Sequence, residues 1–299
     1  MNLIRGIVAA LLLLLNTVAA CIPLYLAALL RPLLGAGLTA RLNRRLDHVI
    51  DFWVGNNRLM FRLLRLTQVS VTWEGAEALS RDRWYLIVSN HQSWSDILVL
   101  QHLFRDRVPP LKFFTKQQLI YVPLIGLALW ILGFPYVRRA SREQLAANPE
   151  LAGRDREAAL ASCRRFENNP TSVLIFLEGT RFTPAKHGAQ TARFQHLLNP
   201  KIGGMAYVIT GLNDHLDRVI DVTIQYPEGI PTFWQLLQGR CRRVEVLVQC
   251  LELPAALRAA PDDETQRAAL RPWVESLWAH KDARLRELRQ LDGAQGNGR

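Results

Sequence analysis

Trp84-Tyr85-Leu86-Ile87-Val88-Ser89-Asn90-His91-Gln92-Ser93-Trp94-Ser95-Asp96-Ile97-Leu98-Val99-Leu100-Gln101-His102-Leu103 changes character twice. Trp84 to Val88 is a run of bulky and β-branched residues, which predicts a short buried strand. Ile97 to Leu103 predicts the start of a helix, with Ser93 or Ser95 as its cap. A histidine therefore sits on the loop where a strand ends, and an aspartate in the first turn of the next helix. In open α/β sheets this is where ligands bind. A neutral imidazole can take a proton from a hydroxyl while a carboxylate fixes its tautomer and stabilises the imidazolium. Taken alone, the pair would mean no more than a surface histidine and a capping aspartate.

Working outward, Val69 to Trp73, Lys112 to Lys116, Ser172 to Phe176, Ile220 to Gln225 and Val244 to Gln249 have the apolar or alternating pattern of strands. Polar and helical stretches separate them. The expected fold is α/β: a mostly parallel central sheet flanked by helices. The uncharged segment from Gln117 to Val137 carries Pro123, Gly126, Gly133 and Pro135. That punctuation fits a helix and strand buried in the domain better than a second membrane span. Ser141 to Asn168 reads as solvated helix and loop, and Thr183 to Thr191 as a mobile basic loop. Asn199 to Met205 reads as a turn opening a helix whose exposed N–H groups could meet an anion.

From Gly6 to Leu30 no residue is charged, a length of roughly 37 Å as a helix. Arg5 precedes it, and Arg31, Arg41, Arg44 and Arg45 follow, so the positive-inside rule puts the remainder in the cytoplasm. Val18-Ala19-Ala20-Cys21 also resembles a lipoprotein cleavage box. The apolar run continues past it, however, so a retained anchor at the inner (plasma) membrane of a bacterium is expected. The divisions expected are an anchor over 1–35, an amphipathic helical segment over 36–68, a catalytic domain over 69–255, an amphipathic carboxyl-terminal helix over 256–291 and a disordered tail over 292–299.

Lys and Arg number 37 against 26 acids, a net charge of +11 in 299 residues. Such a balance favours anionic partners. Nucleic acid lacks support, since no zinc spacing, RNA-binding aromatic signature or helix-turn-helix pattern is present. Cys21, Cys163, Cys241 and Cys250 have no paired spacing and read as small apolar fillers in a reducing compartment. There is no G-x-S-x-G elbow and no G-x-x-x-x-G-K-[ST] loop.

Three junctions carry polar clusters: Asn90-His91 with Asp96, Arg138-Arg139, and Glu178-Gly179-Thr180-Arg181. If their strands run the same way, the carboxyl ends converge on one crevice. A base, an orienting acid and arginines, whose planar forks grip phosphate bidentately, suit a phosphorylated alcohol.

Together these blocks resemble the glycerophospholipid acyltransferases of the PlsC type. Asn90 to Asp96 is similar to that family's N-H-x-x-x-x-D block, Gly133 to Arg139 to its second, and Phe176 to Arg181 to its F-P-E-G-T-R block with Leu177 in place of proline. The third block, with Asn199 to Gly204, is closer to the YihG-type branch and the lysocardiolipin acyltransferases. The resemblance implies transfer of a fatty acyl group from acyl-CoA or acyl carrier protein, the co-substrate donor, to the sn-2 hydroxyl of lysophosphatidic acid. His91 would be the base and Asp96 its orienting acid. Asn90, Lys116, Arg139, Glu178, Gly179, Thr180 and Arg181 would bind substrate, with Arg139 on the phosphate. No metal, cofactor or acyl-enzyme is implied; membrane lipid is the further partner. A larger acceptor such as lysocardiolipin, or a non-catalytic protein that binds acidic lipid, are the alternatives.

Overall fold

A computed structural model gives the structure, which describes residues 1–76, 79–137, 150–167, 169–260 and 262–296. The strands are β1 (Gln68–Glu74), β2 (Trp84–Ser89), β3 (Leu111–Phe113), β4 (Thr115–Lys116), β5 (Tyr136–Val137), β6 (Ser172–Phe176), β7 (Leu216–Gln225) and β8 (Arg243–Leu251). Six of them form one sheet in the order β1-β8-β7-β2-β6-β3, while β4 and β5 pair separately. Every neighbour in the large sheet is parallel except β7 with β8. The mostly parallel sheet is as expected.

The helices are α1 (Asn2–Leu30), α2 (Ala36–Leu63), α3 (Ser95–Phe104), α4 (Ile125–Ile131), α5 (Glu150–Phe166), α6 (Pro184–Gly188), α7 (Gly203–Leu212), α8 (Phe233–Leu237), α9 (Ala255–Arg258) and α10 (Asp263–Gly296). They explain why β2 is apolar without alternation. Tyr85 and Ile87 pack into one core with Phe61 of α2 and Phe104 of α3. Leu86 and Val88 point the other way, into a core with Cys163 of α5, Ile209 of α7 and Trp278 of α10. A strand covered on both faces has no position to leave polar.

Pro272 lies inside α10, and the helix continues through residues 292–296, where a disordered tail was expected. Gly293 lowers helix propensity by only about 1 kcal/mol and is not a stop, and Gly296 is the last helical residue. The basic segment after Arg181 also opens differently from its reading as a loop. Thr183 Oγ1 accepts from the Lys186 N–H at 3.2 Å with Pro184 at the first helical position, so it caps α6. None of the four cysteines forms a disulfide among the described residues, and Cys21, Cys163 and Cys241 are buried.

One helix among the described residues, α1, is long and apolar enough to cross a membrane. It does not stand away from the domain. Gly6 lies against Trp234 and Gln238 beside α8, so close that a β-carbon would approach to 2.9 Å. Ala9 is fully buried, and Cys21, Leu24 and Ala27 pack with Leu46 of α2 and Ala128 of α4. Midway, Asn16 donates to the Trp53 carbonyl (2.8 Å) and to Asn57 (2.9 Å), and the Trp53 indole donates to Thr17 (3.0 Å). These bonds latch α1 to α2. The small residues make one stripe of α1, and the opposite face leaves Ile4, Leu11, Leu15, Leu26 and Leu29 exposed. A continuous apolar surface of that extent marks a membrane or partner contact.

Candidate active site

The loop after β2 is organised by one carboxylate. Asp96 is fully buried, and its Oδ2 accepts from the N–H groups of Gln92 (2.7 Å) and Ser93 (2.9 Å) and from His91 Nδ1 (2.8 Å). Its Oδ1 accepts from the Tyr226 hydroxyl at 2.5 Å. Four donors on one carboxylate offset the cost of burying the charge. The carboxylate requires Nδ1 to carry the proton, which leaves Nε2 as the lone-pair nitrogen. No hydrogen bond engages Nε2 among the described residues, and the imidazole stacks on Phe176 with ring centroids 3.9 Å apart. The ring is thus held at one end and on one face, with its basic nitrogen free.

Glu178 supports the same loop from the neighbouring strand. Its Oε1 accepts from the His91 N–H (2.7 Å) and its Oε2 from the Leu198 N–H (2.9 Å). Burial pushes this carboxyl up to about 7, helped by the nearby Asp96 and opposed by the two N–H bonds and Lys281. The Phe182 N–H donates to the His91 carbonyl at 2.7 Å, so both peptide groups of His91 are tied to the Glu178–Phe182 turn. Gly179 sits at φ +70°, where a β-carbon would be strained and 3.0 Å from Lys201. The other support is α10: Trp278 donates to the Leu198 carbonyl (3.0 Å) and Asp282 accepts from the N–H groups of Gln195 (3.0 Å) and His196 (2.7 Å). Beneath the sheet Lys281 is buried on Asp221 at 2.8 Å, and burial draws its pKa down.

The expected substrate-binding residues divide. Asn90 is buried, and its amide donates to the Ile224 carbonyl (2.9 Å) while its oxygen accepts from the Ile224 N–H (2.8 Å). It splices the loop onto β7 and presents no free polar atom to a ligand, as do both oxygens of Glu178 onto the loop. Arg181 is exposed, with its guanidinium over the Trp94 ring at 5.0 Å. Thr180 Oγ1 accepts from Lys186 (2.7 Å), which also donates to the Arg181 carbonyl (3.0 Å). Lys116 is exposed on β4, paired in register with Val137 of β5. Arg139 lies outside the described residues.

Trp94 is the hinge between the polar and apolar parts. With Leu13, Trp53, Ile97, Ile125 and Phe233 it lines an apolar cleft of about 540 Å³. A second apolar cavity, about 170 Å³, shares Thr17, Trp53, Ile97 and Ile125 with it and reaches toward Leu24 and Phe134. Sequence reasoning missed Tyr226, Phe176, Trp94 and Lys186. The signal for Tyr226 was its place just past β7, which neighbours β2 and runs on past it. Tyr226→Phe is expected to lower stability by about 1–2 kcal/mol, because it leaves a buried carboxylate oxygen unpartnered. A melting temperature equal to wild type would show that the hydroxyl is not holding Asp96.

An α/β fold that brings a free imidazole nitrogen, its buried carboxylate and an apolar cleft together at the strand ends has the parts of an acyl-transfer site. The chain belongs to the Acyltransferase family, whose model matches residues 70–224. Lysocardiolipin acyltransferase 1 of Danio rerio is 25% identical over 260 residues, 80% of this chain and 60% of that protein. 1-Acyl-sn-glycerol-3-phosphate acyltransferase delta of Homo sapiens is 28% identical over 183 residues, 58% of this chain and 44% of the relative. The match thus spans about half the length of these curated relatives. The crystal structure of the 1-acyl-sn-glycerophosphate (LPA) acyltransferase PlsC from Thermotoga maritima superposes with a TM-score of 0.54. It is 19% identical, and the match covers 95% of this chain and 99% of that one, a likeness of fold.

Proposed function

We propose that this chain transfers a fatty acyl group from a thioester, acyl-CoA or acyl carrier protein, to the free hydroxyl of a lysophospholipid, with lysophosphatidic acid the first candidate acceptor. The observation that carries this reading is the free His91 Nε2, oriented through Nδ1 by Asp96, on a loop whose Trp94 and following Ile97 line an apolar cleft. Nε2 takes the acceptor's hydroxyl proton as the oxygen attacks the thioester carbonyl. The C–S bond then breaks, and the imidazolium returns the proton to the departing thiolate. No acyl-enzyme is needed. The acceptor phosphate falls to Arg181 at the end of the third block and to Lys186 just beyond it, with Lys116 and, from the resemblance, Arg139 as the further cations. Glu178, Gly179 and Asn90 act by shaping the loop.

The acyl chain lies in the cleft between α1, α3 and α4, whose volume is within the range of ligand sites. Packing of α1 against the domain at both Gly6 and Ala27 favours a helix lying in one leaflet over one crossing it. Chains held in the bilayer then reach the cleft without crossing water. Ile97→Phe is expected to lower kcat/KM for long-chain donors relative to short ones by at least tenfold, the scale of discrimination an apolar pocket achieves. An unchanged ratio would remove this cleft from the acyl path.

The reading is tested by incubating detergent-purified protein with labelled acyl-CoA, and separately with labelled acyl carrier protein thioester, and lysophosphatidic acid or lysocardiolipin. The acceptor carrying one more acyl chain, with release of CoA, is the expected result. The lysocardiolipin acyltransferase relative keeps the larger acceptor as the second reading. No product on either acceptor, with either donor, would leave acidic-lipid binding as the function.

A further inference from the structure

A second concave site lies away from His91. A cleft of about 430 Å³ opens between the turn joining α1 to α2, the end of α4 and the end of α5. Lys112 stands in its wall. Through β6 it is level with Leu86, since both pair with Val173. That is five residues short of His91, roughly 16 Å along the strand, and two strands to the side, roughly 10 Å more. Phe166 and Asn169, which precede β6, also line the cleft, so it borders the amino end of that strand, away from the catalytic loop.

Its charges are unbalanced. Asp47 pairs with Lys112 at 3.0 Å and accepts from Asn169, so that carboxylate is already committed. Arg31, Arg44 and Arg165 also line the cleft, and none has a carboxylate partner among the described residues. Arg31 donates to Asn43 (2.5 Å) and to the Ile131 carbonyl (3.3 Å), but its Nε is buried without a partner. Burial and the charge of Arg165 both depress the Arg31 pKa, the mark of a cation that lacks its counter-ion. Around the mouth, Leu30, Leu33 and Trp130 are exposed. Trp130 also lines the cleft, and an exposed tryptophan beside arginines is the composition of a membrane–water interface.

We infer that Arg31, Arg44 and Arg165 form a phosphate-binding cleft, occupied by the headgroup of an anionic phospholipid in the leaflet on which α1 lies. Guanidinium forks fit phosphate oxygens, and an anion between three cations relieves their repulsion. The apolar rim places the headgroup's chains against α1 and α4. The site binds lipid without transforming it, so the vesicle test stands whether or not the acyl-transfer reading does, and only the KM comparison rests on that reading.

The test is flotation of the full chain with neutral phosphatidylcholine vesicles and with vesicles containing roughly 30% phosphatidylglycerol, at an ionic strength near 0.1 M. Wild type should bind the anionic vesicles more tightly. Arg44→Gln/Arg165→Gln should lose roughly tenfold or more of that preference, because it removes two charge-assisted guanidinium–phosphate contacts. Arg41→Gln/Arg45→Gln removes the same charge from positions of α2 that are exposed, as Arg44 and Arg165 are, but do not line the cleft. It should lose threefold or less. Equal loss in the two double variants would overturn the cleft in favour of diffuse surface charge. The KM for acyl-CoA, measured on the same variants, separates the sources of phosphate. If it rises in the cleft variant while vesicle binding does not change, the cleft holds the phosphates of the soluble donor. If neither quantity responds, there is no phosphate site.

Discussion

His91→Ala is expected to reduce acyl transfer by roughly 10²- to 10⁴-fold, the usual worth of a positioned general base. The loss should fall on kcat, because the imidazole supplies a proton acceptor and almost no binding surface: it is stacked on Phe176 and tied to Asp96. The apolar face of α1 is untouched, so binding to vesicles should equal that of wild type. This separates the enzyme from a lipid-binding scaffold, for which the substitution would change nothing that can be measured. Asp96→Asn should be as inactive but also less stable. An amide has only one oxygen to meet the His91, Gln92, Ser93 and Tyr226 donors, and its NH₂ would face some of them. Matched melting curves therefore tell the two variants apart. His91→Ala turning over at a third or more of the wild-type rate would mean that the hydroxyl is deprotonated by another group.

Much of this arrangement was legible in the chain. The β2 run, its polar loop and the apolar start of α3 gave a strand end with a histidine and aspartate five positions apart, and the buried strands pointed to a mostly parallel sheet. Residue type does not say which polar atom meets which, however. Glu178 and Asn90 were expected to bind substrate from the family resemblance and from their place in polar clusters at strand ends. The register of β2 with β6, Ser89 opposite Phe176, instead delivers Glu178 under the His91 peptide. Pairing of Ser89 with Val222 leaves β7 three residues longer, which carries Ile224 to Asn90 and Tyr226 to Asp96. Likewise α1 read as an anchor by its apolar composition. Only the spacing of Gly6, Ala9, Ala20, Leu24 and Ala27, a stripe of mostly small residues, carries the information that one side packs on protein.

Glu178→Gln tests the buried frame of the site, and its effect should be large on two counts. The carboxylate satisfies two backbone donors with two oxygens, whereas an amide can satisfy one and opposes the other with its own N–H. Either the His91 or the Leu198 N–H is then buried without an acceptor, a loss of about 1–3 kcal/mol. If the loop shifts by about 1 Å to relieve this, the misplaced imidazole lowers kcat on the order of 10²-fold, with the donor KM little changed. The pH dependence distinguishes the carboxyl from a merely structural contact. Folding raises its pKa from 4.5 to about 7, so the folded state binds the proton more tightly than the unfolded chain. That contribution is fully present below 4.5 and is lost as pH rises through about 7, at most about 3 kcal/mol over the whole range. Wild type should therefore gain stability relative to Glu178→Gln as pH falls from 8 to 5, widening the gap between their melting temperatures. A gap that is constant over that range, together with activity within threefold of wild type, would show that Glu178 neither titrates there nor holds His91 in place.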